Sequence, residues 1–113
     1  MAKFQMGTDN DQAAETYGRE AMRAYPGEPQ AYLVTGFAAL SNKRFDQAYQ
    51  LLGQYDQLLP GNSQIVFYQG YCLEQMGRQK EAAQKYHAYL QRQKQGKEAQ
   101  YAYNRLKGWG YLR

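Results

Sequence analysis

The 113-residue sequence holds one cysteine, one histidine and one tryptophan, and each scarcity removes a class of explanation. A lone thiol, Cys72, allows no intramolecular disulfide and no cysteine metal cluster. It reads as a small buried hydrophobe. The lone imidazole, His87, sits beside Lys85 and Tyr86 with no partner set for a zinc site or a general base, and it reads as an exposed surface side chain. No HExxH, GxSxG or phosphate-loop motif occurs. These absences predict no catalysis, no metal, no cofactor and no small-molecule substrate. No apolar run approaches the roughly 20 residues of a membrane span, which argues against membrane insertion. The opening Met-Ala-Lys-Phe-Gln-Met lacks the apolar stretch of a signal peptide. That leaves the compartment open: cytoplasmic, or periplasmic for a piece of an envelope protein.

What is abundant is tyrosine, twelve residues against four phenylalanines. Tyrosine joins a large apolar face to one polar handle and suits half-buried positions and interfaces. Hydrophobic residues make up 43%, an ordinary globular share, and a chain of this length buries a core without staples. The net charge of +4 comes from Lys and Arg interleaved with Asp and Glu, the pattern of a solvated helix surface.

The chain repeats itself. Thr35-Gly36-Phe37 falls on Gln69-Gly70-Tyr71 under a shift of 34 residues, and the same shift sets Arg44 on Arg78, Ala48 on Ala82, Gln50 on Gln84 and Tyr55 on Tyr89. Pro26-Gly27 and Gln30 likewise fall on Pro60-Gly61 and Gln64, and Ala14 shares the register of Ala48 and Ala82. A fixed period of this length signals stacked supersecondary units. Within the frame, Tyr32, Leu33, Phe37 and Leu40 recur at helical spacing from Pro29, which fits a first turn. After a break at Asn42-Lys43-Arg44, a second helix over 45–58 carries Ala48, Leu51, Leu52 and Tyr55 on one face, with Leu59 just beyond. Pro60-Gly61 ends it and Asn62-Ser63 caps the next. The following unit copies the plan through Ile65, Val66, Tyr68, Cys72, Leu73 and Met76, a break at Gly77, then Ala82, Tyr86, Tyr89 and Leu90. Asp9-Asn10-Asp11 reads as the cap of a helix from about 12 to 25. No segment alternates over strand length, so the fold is predicted all-α: a short α-solenoid of antiparallel helix pairs.

Paired helices expose an apolar stripe that the next pair buries. Gly36 and Gly70 would permit close approach inside each pair, with Ala48 and Ala82 opposite, and Tyr55 and Tyr89 would fill the larger gap beyond. Gly36→Leu is expected to overpack that contact by roughly 1–3 kcal/mol.

The order of aromatic, Gly, Ala, aromatic and Pro resembles the tetratricopeptide repeat. Tyr32, Gly36, Ala39, Ala48, Leu52, Tyr55 and Pro60 match in one unit, and Val66, Gly70, Leu73, Ala82, Tyr86 and Tyr89 in the next, where Lys94 stands in place of Pro. The resemblance divides a single domain into a partial first repeat (1–28), repeats at 29–62 and 63–96, and a capping helix with tail (97–113). In that cap Tyr101, Leu106 and Trp109 face back. The first repeat departs from the pattern: Gly18 replaces a large residue, and only a stub, Ala2 to Met6, stands for its first helix, as in a domain cut from a longer protein. A weaker similarity, in the Tyr-rich cap, Trp-Gly-Tyr and many Gln, is to the C-terminal repeats of bacterial envelope zinc metalloproteases of the M48 type.

The resemblance implies a protein- or peptide-binding module whose first helices line a concave groove. By register that groove takes Gln30, Leu33, Val34 and Phe37, then Gln64, Phe67, Tyr68 and Tyr71, then Tyr101 and Arg105, with Lys3 at the other edge. Tyr68 and Tyr71 are the better contact candidates, and Phe37 and Phe67 the more structural. The Lys, Arg and Asn that clamp a carboxylate in one variant of the family are replaced here by Leu33, Val34, Phe37, Gln64 and Tyr68, so apolar and hydrogen-bonding recognition is expected. Two alternatives stay open: self-association, such as a homodimer through an uncovered first-repeat face, and single-stranded nucleic acid stacking on tyrosines.

Overall fold

The computed structural model describes residues 9–112. Six helices follow in order, α1 (Asp9–Ala24), α2 (Pro29–Ser41), α3 (Phe45–Leu58), α4 (Ser63–Gln75), α5 (Gln79–Arg92) and α6 (Lys97–Gly108), with no strand among the described residues. Both predicted spans 29–41 and 45–58 are met. α1 is already formed at Asp9, before the expected start, because an acidic first turn is favourable inside a helix as well as at its cap. The Ala2–Met6 stub and Lys3 lie outside the described residues.

Local chemistry explains the boundaries. Glu28 accepts a hydrogen bond from the Gln30 amide at 3.3 Å, with Pro29 in the first turn, and Asn62 does the same for Gln64 at 3.0 Å. The turns after α2 and α4 share one geometry. The Arg44 amide donates to Ala39 and the Arg78 amide to Leu73, both at 2.9 Å, each closing a helix C-terminus through a left-handed residue. That residue is Gly77 in one turn (φ 81°) and Lys43 in the other (φ 65°).

The packing divides into two compact units, one ending at Pro60 and the other beginning at Gly61. In the first, α1 packs on α2 and α2 on α3. A Cβ on Gly36 would lie 3.0 Å from Leu52 Cδ2, so the missing side chain lets α2 and α3 close, and Ala39, Ala48 and Leu52 are fully buried there. Gly18, where the repeat pattern has a large residue, has its own packing reason: a Cβ would fall 1.8 Å from Thr35 Oγ1. The α1–α2 contact is built on that absence.

In the second unit α4 packs on α5 and α5 on α6. Gly70 faces Tyr86, whose ring would meet an added Cβ at 2.9 Å. Ile65, Cys72, Leu73, Ala82, Tyr86, Ala102 and Leu106 fill the core. Burial pushes the Cys72 thiol up to about 12, as an inert packed cysteine should behave. Trp109 stacks on Tyr86 at 6.0 Å, and Trp109, Gly110 and Tyr111 end α6 in another left-handed cap. Tyr32 and Val66, expected in the core stripe, are half-buried; Tyr32 sends its hydroxyl to the Pro26 carbonyl at 2.9 Å.

Candidate functional site

The groove residues named from register fall on α2, α4 and α6. On α2, Gln30 is exposed and Leu33 and Phe37 are half-buried. On α4, Gln64 is exposed and Tyr68 and Tyr71 are half-buried. Phe67 is a correction. It is only 6% exposed, its ring 5.1 to 5.8 Å from those of Tyr68, Tyr86, Tyr89 and Tyr101. The reason is rotational: at 100° per residue, a side chain three before Gly70 shares much of its inward direction. Phe67 therefore belongs to the core. Tyr89, expected to fill a gap toward a following unit, packs on Phe67 of its own. The Tyr101 ring lies 6.2 Å from Tyr71 on α4 and 6.0 Å from Tyr86 on α5.

Beneath these rings lies a carboxylate that the sequence reading missed. Glu74, its side chain 7% exposed, accepts the Tyr86 hydroxyl at 2.7 Å, the Tyr101 hydroxyl at 3.1 Å, and Arg105 Nε at 2.7 Å with a second, bidentate contact. One side chain thus ties α4 to α5 and α6. Burial, and then the Glu74 charge, raise the Tyr86 and Tyr101 hydroxyls above the ordinary tyrosine range, so both stay protonated donors. The hydrogen bond to Glu74 raises Arg105 as well. Arg105 also lies over the Tyr101 and Trp109 rings at 5.5 and 5.6 Å. The guanidinium expected in the groove is paired within the fold, and an acidic ligand would have to compete with Glu74.

The first unit has a matching device. Glu15 on α1 accepts Arg19 at 2.9 Å, Asn42 at 2.9 Å and Arg44 Nε at 3.2 Å, with a second contact from Arg44. Arg19 also reaches Gln47 at 2.6 Å. Arg44 and Arg78 share a register position but not a partner, since Arg78 pairs with exposed Glu81 at 2.5 Å. Neither carboxylate was legible, because a single Glu on a helix ordinarily reads as solvated face. His87 is exposed. Among the described residues no cluster of His, Cys, Asp and Glu could hold a metal ion, and no helix is long and apolar enough to cross a membrane.

The contact of a glycine with a large apolar side chain recurs in the two helix pairs 34 residues apart, Gly36 on Leu52 and Gly70 on Tyr86, and the tetratricopeptide repeat family matches residues 7–63, half of the chain. The chain belongs to the tetratricopeptide repeat family. No curated protein matches it. Tetratricopeptide repeats mediate protein–protein interaction and are typically non-catalytic.

Proposed function

We propose that this tetratricopeptide protein binds a polypeptide partner through the tyrosine-bearing face of α4 and α6, by apolar and hydrogen-bonding contacts. One observation carries the reading. Tyr68 and Tyr71 stand half-buried beside exposed Gln64, on a layer of aromatics locked from behind by Glu74. Aromatic surface held on rigid elements loses little entropy on binding and marks interaction sites. With Arg105 paired to Glu74, this face supplies no unpaired arginine for a carboxylate clamp, which favours neutral recognition.

The test compares partners captured by the wild type and by Tyr68→Ala/Tyr71→Ala, with folding of both established by circular dichroism. Loss of partners in the double variant is expected. Capture by the wild type should persist at about 1 M salt, where the Debye length is roughly 3 Å. A double variant that keeps every partner refutes the reading. Capture that collapses with salt points instead to phosphate contacts and nucleic acid.

A further inference from the structure

Charge is unbalanced around buried Glu15. It accepts Arg19 from its own helix and Arg44 from the N-cap of α3, so two guanidiniums meet one carboxylate. One turn past Arg19, Arg23 is exposed and makes no hydrogen bond or ion pair with any described residue. The same contacts fix how α1 and α3 run. Glu15 meets Arg44, 29 positions on, and Arg19 meets Gln47, 28 positions on. The two helices are therefore parallel, and Arg23 stands level with Leu51, between Gln50 and Gln54. A groove of about 400 Å³ runs between them. Arg19 and Arg23 line it from α1, and Gln47, Gln50 and Gln54 from α3, with Met22, Tyr32 and Leu51 as its apolar part. No carboxylate lines it: Glu20, Asp46 and Asp56, on the same two helices, stay outside.

The repeat does not require this lining. One period on, Arg19 and Arg23 become Gly53 and Gln57, and Gln47 and Gln54 become Glu81 and Ala88. Packing does not use it either, since Ala48, Leu52 and Tyr55 already bury the inner face of α3. What these side chains share is their chemistry. A guanidinium presents a planar fork of donors that matches a carboxylate. A carboxamide both donates and accepts, as a peptide backbone does. Gln47, Gln50 and Gln54 fall at i, i+3 and i+7 on one helix face. Seven residues of helix rise about 10 Å, the length of about three residues of extended chain. A phosphate would use donors alone, whereas a line of groups that donate and accept fits a backbone. The excess positive charge selects an acidic side chain on that backbone.

We propose that the α1–α3 groove binds an extended acidic segment of a polypeptide partner, with Arg23 pairing a Glu or Asp side chain and Gln50 and Gln54 bonding the backbone beside it. This goes beyond the tyrosine-face reading and shares no residue with it, so either can fail alone. The probe is a fluorescein-labelled peptide of alternating Glu and Ser, titrated by fluorescence anisotropy against the 113-residue chain. The control peptide has Gln for every Glu. Saturable binding is expected, about tenfold or more tighter for the Glu peptide, and Arg23→Gln should weaken it by about tenfold, the worth of one hydrogen bond to a charged group. Gln50→Ala/Gln54→Ala should weaken it by about fivefold. Amide shifts in proton–nitrogen correlation spectra should centre on α1 and α3, and Tyr68→Ala/Tyr71→Ala should bind as the wild type does. Arg23, Gln50 and Gln54 are exposed, circular dichroism checks the folding of their variants, and the comparison of the two peptides needs no substitution at all. Absence of saturable binding, equal affinity of the two peptides, indifference to Arg23→Gln, or shifts centred elsewhere overturns the proposal. Displacement of the peptide by inorganic phosphate at equal concentration, with affinity unmoved by Gln50→Ala/Gln54→Ala, assigns the groove to a phosphate group and overturns it as well.

Discussion

Protonating or removing the Glu15 carboxylate should destabilise the first unit by an amount that depends on pH in a defined way. Burial alone would raise this carboxyl, but hydrogen bonds from Arg44, Arg19 and Asn42, with the Arg44 charge, outweigh it and hold the pKa at about 2 against an ordinary 4.5. A difference of about 2.5 units, at about 1.36 kcal/mol each, corresponds to roughly 3 kcal/mol of folding stability. Because the value is lowered in the fold, this contribution is complete above pH 4.5 and is lost as pH falls through about 2. Arg19 and Arg44 are 40% and 44% exposed, so water partly recovers their charges when the carboxylate is removed, and a gap nearer 2 kcal/mol fits the same reasoning. The assay is urea unfolding of wild type and Glu15→Gln from neutral pH downward. The wild type should lead by roughly 2–3 kcal/mol above about pH 5, and the gap should close at up to ~1.4 kcal/mol per pH unit below that, nearly vanishing at about pH 2. A gap that stays constant across the range, or lies under about 0.5 kcal/mol at neutral pH, refutes the ion-pair account.

Two further predictions concern backbone and packing. Lys43 occupies a left-handed conformation (φ 65°) that glycine fills at the equivalent position 77. Lys43→Gly should therefore stabilise the chain by about 0.5–1 kcal/mol, read as a raised urea midpoint with unchanged m-value, and an unchanged or lower midpoint contradicts it. Gly70→Ala places a methyl 2.9 Å from the buried Tyr86 ring and 3.1 Å from Lys85 Cβ. The overpacking cost of roughly 1–3 kcal/mol should exceed the gain in helix propensity of up to ~1 kcal/mol, lowering the melting temperature. A higher melting temperature would mean that α4 and α5 separate without cost.

Much of the fold was legible because its signals are local. The 34-residue register, Pro29 at a helix start, Asn62 at a cap and the Gly77 turn each act through a few neighbouring residues, and the spans 29–41 and 45–58 follow from them. The candidate face was legible only in part. Helical spacing placed Gln64, Tyr68 and Tyr71 on one side of α4, but it could not show that Phe67 turns inward among four tyrosine rings. Register likewise set Arg44 and Arg78 in the same class, although one neutralises a buried glutamate from another helix and the other a surface residue on its own.

The amino-acid sequence by itself determined the family, the spans of α2 and α3 and the close approach at Gly36 and Gly70, since periodicity, capping and side-chain volume are properties of the chain read along its length. The tertiary structure showed that Leu52 and Tyr86 are what those glycines meet. Only the tertiary structure decided which carboxylates are buried, that Arg105 is paired with Glu74, and that Gly18 is a packing residue against Thr35 rather than a lapse in the repeat. Those outcomes depend on contacts such as Glu74 with Tyr86, 12 positions apart, and with Arg105, 31 apart, where direction in space, not spacing in sequence, determines which groups meet.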